Sequence, residues 1–188
     1  SQLIATDFDA NDIPDLVGID SDGSRVSVFP GVGDGSFRGA QNPESVNTGA
    51  NPSAIVVVDF QNDGREEIVI AEADDNSLSV AQFSNEGNLS VVQQITLGTG
   101  TTPVALTAYD LNADNNFGIV CALAGTNELV ILDHRNGALE EQSRIALSGV
   151  PSDLKVIDFD DDGFLDIVVA IDQGGSGSIA LVRGQAGA

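Results

Sequence analysis

Tryptophan is missing from this sequence of 188 residues, and cysteine, histidine and lysine occur once each. A single cysteine closes no internal disulfide, so thiol usage neither requires nor excludes an oxidising compartment. Cys121 lies in the apolar run Ile119, Val120, Cys121, Ala122, Leu123 and reads as a buried, inert thiol. The lone histidine, His134, falls in the turn-like segment DHRNG and reads as an exposed hairpin residue, not as a catalytic base. The absence of tryptophan weakens a lectin that would stack sugars on broad aromatic faces. No apolar run approaches the roughly 18 residues of a membrane-spanning helix, so membrane insertion is not expected. No signal peptide opens the sequence, and a mature form or an excised fragment is expected.

Positive charge is the scarcest commodity. Seven Lys and Arg, with Lys155 the single lysine, stand against 29 Asp and Glu, giving a net charge of −22. Such a chain repels nucleic acid phosphates and anionic membrane surfaces, which excludes polyanion partners. An excess of acid serves either to solvate a surface or to gather carboxylates around cations, and the placement of the acids decides between these.

What is abundant is apolar residues, at 41%, and glycine, at 21 residues, a mixture suited to strands joined by tight turns. The segments DFDANDIPDLVGI from Asp7, DFQNDGREEIVIA from Asp59, DLNADNNFGIVCA from Asp110 and DFDDDGFLDIVVA from Asp158 repeat with a period of roughly 50 residues. Each is an acidic loop followed by apolar β-formers, and proline-marked strands such as NPSAIVVVDF and VPSDLKVIDF lead into three of them. A shorter alternating run, a turn such as GDGS or RNGA, and a more polar strand complete the unit.

No helical period is sustained, so the fold class is all-β. Roughly 50 residues carrying four strands is the size of a β-propeller blade. We therefore expect one propeller-type domain over residues 1–188, with repeats at 1–50, 51–101, 102–149 and 150–188. The first two strands of each blade should be buried on both faces. The last blade lacks an outer strand and the first strand is cut short, so part of a larger propeller, or an assembly of copies through open blade edges, is expected.

In the fourth loop Asp158, Asp160, Asp162 and Asp166 occupy positions 1, 3, 5 and 9, with Gly163 at position 6. Four carboxylates within nine residues repel unless a hard divalent cation, which takes six to eight oxygens, is bound among them. An EF-hand needs a glutamate at position 12 and a helix after it; here position 12 is Gly18, Ile70, Cys121 and Val169, all in β-type sequence. The competing reading is that Asp and Asn simply favour turns. The segments GVGDG and QGGSGS read as hairpin and terminal loops, since neither carries the lysine and following helix of a phosphate cradle.

Across all four units the sequence resembles the FG-GAP/VCBS repeats, the blades of integrin alpha-chain heads and of many bacterial surface proteins. PGVGDGSF is similar to that family's glycine-rich hairpin between third and fourth strands. The resemblance implies a Ca2+ loop between the first and second strands of each blade, with side-chain ligands at positions 1, 3, 5 and 9 and a carbonyl at position 7. It carries over to Asp7, Asp9, Asn11 and Asp15 in the first loop, where Asp12 replaces the usual glycine. In the second loop it carries over to Asp59, Gln61, Asp63 and Glu67, whose neutral amide and longer acid should hold an ion more weakly. The third offers Asp110, Asn112 and Asp114 but has Gly118 at position 9, and the fourth offers Asp158, Asp160, Asp162 and Asp166.

The function these features imply is a non-catalytic, calcium-stabilised module for binding, adhesion or assembly, with a surface filament subunit as one form of it. Millimolar extracellular calcium suits such sites, so the expected location is extracellular or at the cell surface, and the expected partner a protein or glycan. The alternative is a carbohydrate-binding lectin or the propeller part of a polysaccharide-active enzyme.

Overall fold

The computed structural model describes residues 2–20, 23–39, 43–84, 88–110 and 116–184. The described residues are all-β and hold four antiparallel sheets. The first sheet runs β1 (Leu3–Thr6), β2 (Asp15–Asp20), β3 (Arg25–Phe29), β4 (Glu44–Asn47), with neighbours in space following the order in sequence. The second runs β5 (Pro52–Val58), β6 (Glu67–Glu72), β7 (Ser77–Phe83), β8 (Leu89–Thr96), and the third β9 (Pro103–Tyr109), β10 (Gly118–Leu123), β11 (Glu128–Arg135), β12 (Ala138–Ala146). The last has three described strands, β13 (Val150–Ile157), β14 (Asp166–Asp172) and β15 (Gly177–Val182). These up-and-down sheets are β-propeller blades.

The sequence dictates this order locally. Strands β6 and β10 are buried at every position, and apart from the glutamates that end EIVIAE their residues are apolar or glycine, as a strand covered on both faces requires. The first strands are less buried than their apolar sequence predicts: β5 and β9 alternate between buried and half-buried positions, because each is the edge of its own sheet. Pro52 and Pro103 open β5 and β9, Pro151 is the second residue of β13, and each stands at the same irregularity, a register shift just after the proline. A proline has no N–H to give the ladder, so it is tolerated at a strand start beside a bulge.

The chain divides into two compact units, Ser1–Thr99 and Gly100–Ala188. In the first, Val17, Val26, Ile55, Ile68 and Ile70 form a core between the first two sheets. In the second, Val120, Leu129, Leu154, Val169 and Ile171 do the same for the other two. Cys121 is fully buried, and burial pushes its thiol well above the usual range, so it stays protonated.

The expectation for the histidine is corrected. His134 lies in β11 and is half-buried, with its proton affinity lowered by that burial; the turn itself is made by Asn136 and Gly137, both in the left-handed region. Phe8 is buried, whereas Phe159, at the same place in the fourth repeat, is 62% exposed. Phe8 packs edge-on against Phe83 of the second sheet.

Candidate metal centres

Three acidic loops, residues 7–15, 59–67 and 158–166, lie in the described regions, and each joins the first strand of a sheet to the second. Their backbones are alike. Positions 4 and 6 have positive φ in all three: Ala10 and Asp12, Asn62 and Gly64, Asp161 and Gly163. For a residue with a Cβ this conformation costs roughly 1–2 kcal/mol, so something in the loop must hold it.

The aspartates themselves supply that hold. At position 1, Asp7, Asp59 and Asp158 each accept hydrogen bonds from the N–H groups of positions 5 and 6, at 2.7 to 3.2 Å. Position 5 then turns the chain, as Asn11, Asp63 and Asp162 each accept from the N–H of position 7 at 2.8 to 2.9 Å. Position 9 reaches back to the loop entrance: Asp15 accepts from Phe8 N–H at 2.9 Å, Glu67 from Phe60 at 3.0 Å and Asp166 from Phe159 at 3.1 Å.

This folding draws carboxylates together. One oxygen each from Asp7, Asp9 and Asp15 lies within 4.8 Å of the others, and the same holds for Asp158, Asp160 and Asp166. Asp15 and Asp166 are buried, with a second anchor each: Asp15 Oδ1 accepts from Gly31 N–H at 2.7 Å and Asp166 Oδ1 from Gly184 N–H at 2.8 Å. Oxygens bound to one calcium ion at about 2.3–2.6 Å can be at most about 5 Å apart, so both groups fit a single ion. Oxygen-only donors also match a hard cation in kind.

In the second loop the residue at position 3 is an amide, not a carboxylate. Gln61 Nε2 donates to Glu67 Oε1 at 3.0 Å, so positions 3 and 9 bond to each other directly. Burial raises the proton affinity of Glu67 and of its neighbour Glu66, whose carboxylate accepts from Thr6 Oγ1 at 2.5 Å. These side chains line a cleft of about 730 Å³ between the first and second sheets, floored by Phe8, Val28 and Phe83 and edged by Asp9 and Asp63.

The described residues beside the third loop hold a different group. Asn112 and Asp114 lie outside the described residues, and Asp110 ends the described part of the loop. At position 9, Gly118 is required because a Cβ there would stand 2.3 Å from Cζ of Tyr109. The tyrosine hydroxyl donates to Asp133 Oδ1 at 2.5 Å, and Asp133 pairs with Arg135 at 2.8 Å. Burial and Asp133 hold that hydroxyl protonated far above its ordinary pKa. Restoring the missing acid with Gly118→Asp should therefore destabilise the chain, by about 1–3 kcal/mol in urea unfolding, by overpacking against the ring.

Sequence reasoning missed Gly31, Gly184 and Arg183 as parts of these loops. The recurrence of glycine two residues past the third strand, in FPG and VRG, is the signal that could have found the first two.

The profile of the FG-GAP-like repeat matches residues 7–70 and again 59–121, more than half of the chain. The chain belongs to the FG-GAP-like repeat family. An FG-GAP-repeat, β-propeller-like fold suggests a module for binding or adhesion. No curated protein matches the chain in sequence. Among solved structures, BBS1N in complex with ARL6DN matches in a lead-soaked crystal with a TM-score of 0.65 and 16% identity, over 98% of this chain and 56% of that one. In a mercury-soaked crystal it matches with 0.68 and 13%, over 98% and 57%. A putative 6-phosphogluconolactonase from Bacteroides uniformis ATCC 8492 matches with 0.61 and 15%, over 89% and 53%. At such identities the likeness of these FG-GAP-like blades to other proteins concerns the fold alone, and the chain spans little more than half the length of each of these solved chains. No helix among the described residues is long and apolar enough to cross a membrane.

Proposed function

We propose that this FG-GAP-like chain is a calcium-stabilised, non-catalytic binding module that works outside the cell, presenting the loop end of its blades to another macromolecule. The observation that carries this is the duplicate geometry of the first and fourth loops. Two segments far apart in sequence place three aspartates, at the same positions, within reach of one ion. In each, the site lies where the first strand turns into the second, so the ion would tie the loop to the sheet. Asp7, Asp9 and Asp15 would hold it in the first loop, and Asp158, Asp160 and Asp166 in the fourth. The ion supplies charge neutralisation: bare carboxylates about 4 Å apart repel by about 1 kcal/mol in water and about 4 kcal/mol at the lower effective dielectric of a protein surface.

Calcium at the millimolar level outside cells fills sites with dissociation constants of about 10⁻⁴ to 10⁻³ M, and cytosolic calcium does not, which supports extracellular work. The partner we assign is a protein or glycan carrying positive or calcium-bridged groups, given the net charge of −22 and the acids around the cleft of the first unit.

Calorimetric titration with calcium tests the reading. The expected result is two ions per chain, one lost with Asp9→Ala and the other with Asp160→Ala. These variants remove a ligand while leaving the position 1 and position 9 hydrogen bonds in place. Absence of binding at 5 mM calcium, or stoichiometry unchanged by both substitutions, would refute it.

A further inference from the structure

The first and fourth loops share their ligands but not their surroundings. In the first sheet Leu16, which follows the position 9 aspartate, pairs with Phe29; in the last sheet Ile167, in the same place, pairs with Val182. Phe29 and Val182 are therefore equivalent, and so are the residues after them, Pro30 and Arg183. The equivalence is confirmed one residue further on, where Gly31 and Gly184 make the same N–H bond to Asp15 and Asp166. Pro30 brings no charge to its loop. Arg183 sends its guanidinium onto Oδ2 of Asp160, one of the three carboxylates gathered there.

We infer that Arg183 is a built-in counter-cation of the fourth loop, competing with a divalent ion for Asp160 and setting the calcium affinity of that site. The inference rests on the reading of the loops as calcium sites and assigns a residue that tunes one of them. By charge alone the fourth loop should be the tighter site, since it carries Asp162 where the first has the neutral Asn11, and affinity follows ligand charge. Arg183 opposes that order in two ways. It occupies an oxygen that the ion needs, and its positive charge beside the site repels a divalent ion. Because Arg183 is 64% exposed, its side chain can withdraw into water when calcium binds, so the site is weakened and not closed. The two ends of the chain would then fill over a similar calcium range, although their carboxylate counts differ.

The test uses the full chain carrying Asp9→Ala, so that the fourth loop dominates the titration, with and without Arg183→Gln. Calorimetry should show the calcium dissociation constant falling by about three- to tenfold when the guanidinium is removed, the size expected for loss of an exposed competing charge. Arg183→Lys, which keeps the charge, should stay nearer to the parent. In the parent chain, the NMR signal of the Arg183 guanidinium should shift and sharpen as calcium is added. If the fourth loop binds calcium equally well with arginine and glutamine, and the guanidinium signal is unmoved, Arg183 is a bystander and the calcium reading stands. If neither chain binds calcium at this loop, the calcium reading of the loop falls and the inference falls with it.

Discussion

Stripping calcium with EDTA should lower the melting temperature of the chain by about 5–15 °C relative to 5 mM calcium. Among the described residues each compact unit holds one three-carboxylate loop, so on the calcium reading each would lose one ion. A site with a dissociation constant of about 10⁻⁴ to 10⁻³ M contributes about 1–2 kcal/mol at 5 mM ligand. For units of this size each kcal/mol moves the midpoint by about 4–8 °C. Magnesium at the same concentration should recover little of the loss, because its demand for short octahedral contacts suits these open loops poorly. The chain with both Asp9→Ala and Asp160→Ala should melt at the same temperature with and without calcium. A parent chain that also melts within 1 °C in the two conditions would show that the aspartates act only as hydrogen-bond staples of their turns.

The hydrogen bonds explain how far the sequence could be read. Positions 1 and 9 were legible because their roles are local: Asp158 bonds the backbone four and five residues on, and Asp166 bonds Phe159, so the spacing alone encodes the loop. The order of strands followed for the same reason, since each sheet is built from neighbours in sequence. What the pattern could not carry was the identity of groups brought in from elsewhere. The spacing offers Gln61 as a weak ligand but does not encode that its amide also donates to Glu67. Gly118, read as a position without a ligand, also leaves the space that Tyr109 occupies, and the tyrosine hydroxyl donates to Asp133 of the third strand. Arg183 lies 23 residues beyond Asp160, and only the register of β14 with β15 places it there. Position 4 was also hidden, because Ala10 and Asp161 give no hint of a left-handed backbone.

Replacing Glu72 with alanine should cost about 3–5 kcal/mol, the largest effect of any single acid in the chain. Read in sequence, Glu72 is the polar end of a strand in EEIVIAE, with one more carboxylate among 29. In the structure it is fully buried at the end of β6, outside the acidic loops. Oε1 accepts from Gly49 N–H at 2.7 Å and from Ser79 Oγ at 2.6 Å, and Oε2 from Ser77 Oγ at 2.6 Å and Gln94 Nε2 at 3.5 Å. One carboxylate thus fastens the connection that leaves the first sheet to three strands of the second. Asp75 reinforces it by accepting from Ala50 N–H at 2.7 Å. A charge buried without a cation is tolerable only when donors surround it, and here the donors are fixed by the same fold that the charge supports. Alanine strands the Gly49 amide and both serine hydroxyls in a cavity, and each stranded donor costs about 1–3 kcal/mol. Glutamine keeps one carbonyl oxygen for Gly49 and Ser79, and the Ser77 hydroxyl can rotate to accept from its amide, so Glu72→Gln should lose only about 1–2 kcal/mol. Urea unfolding of both variants measures the difference. The loss should be the same in calcium and in EDTA, because Glu72 shares no hydrogen-bond partner with the acidic loops. A penalty below about 1 kcal/mol for alanine would mean that water satisfies the stranded donors and that the first connection holds without its carboxylate.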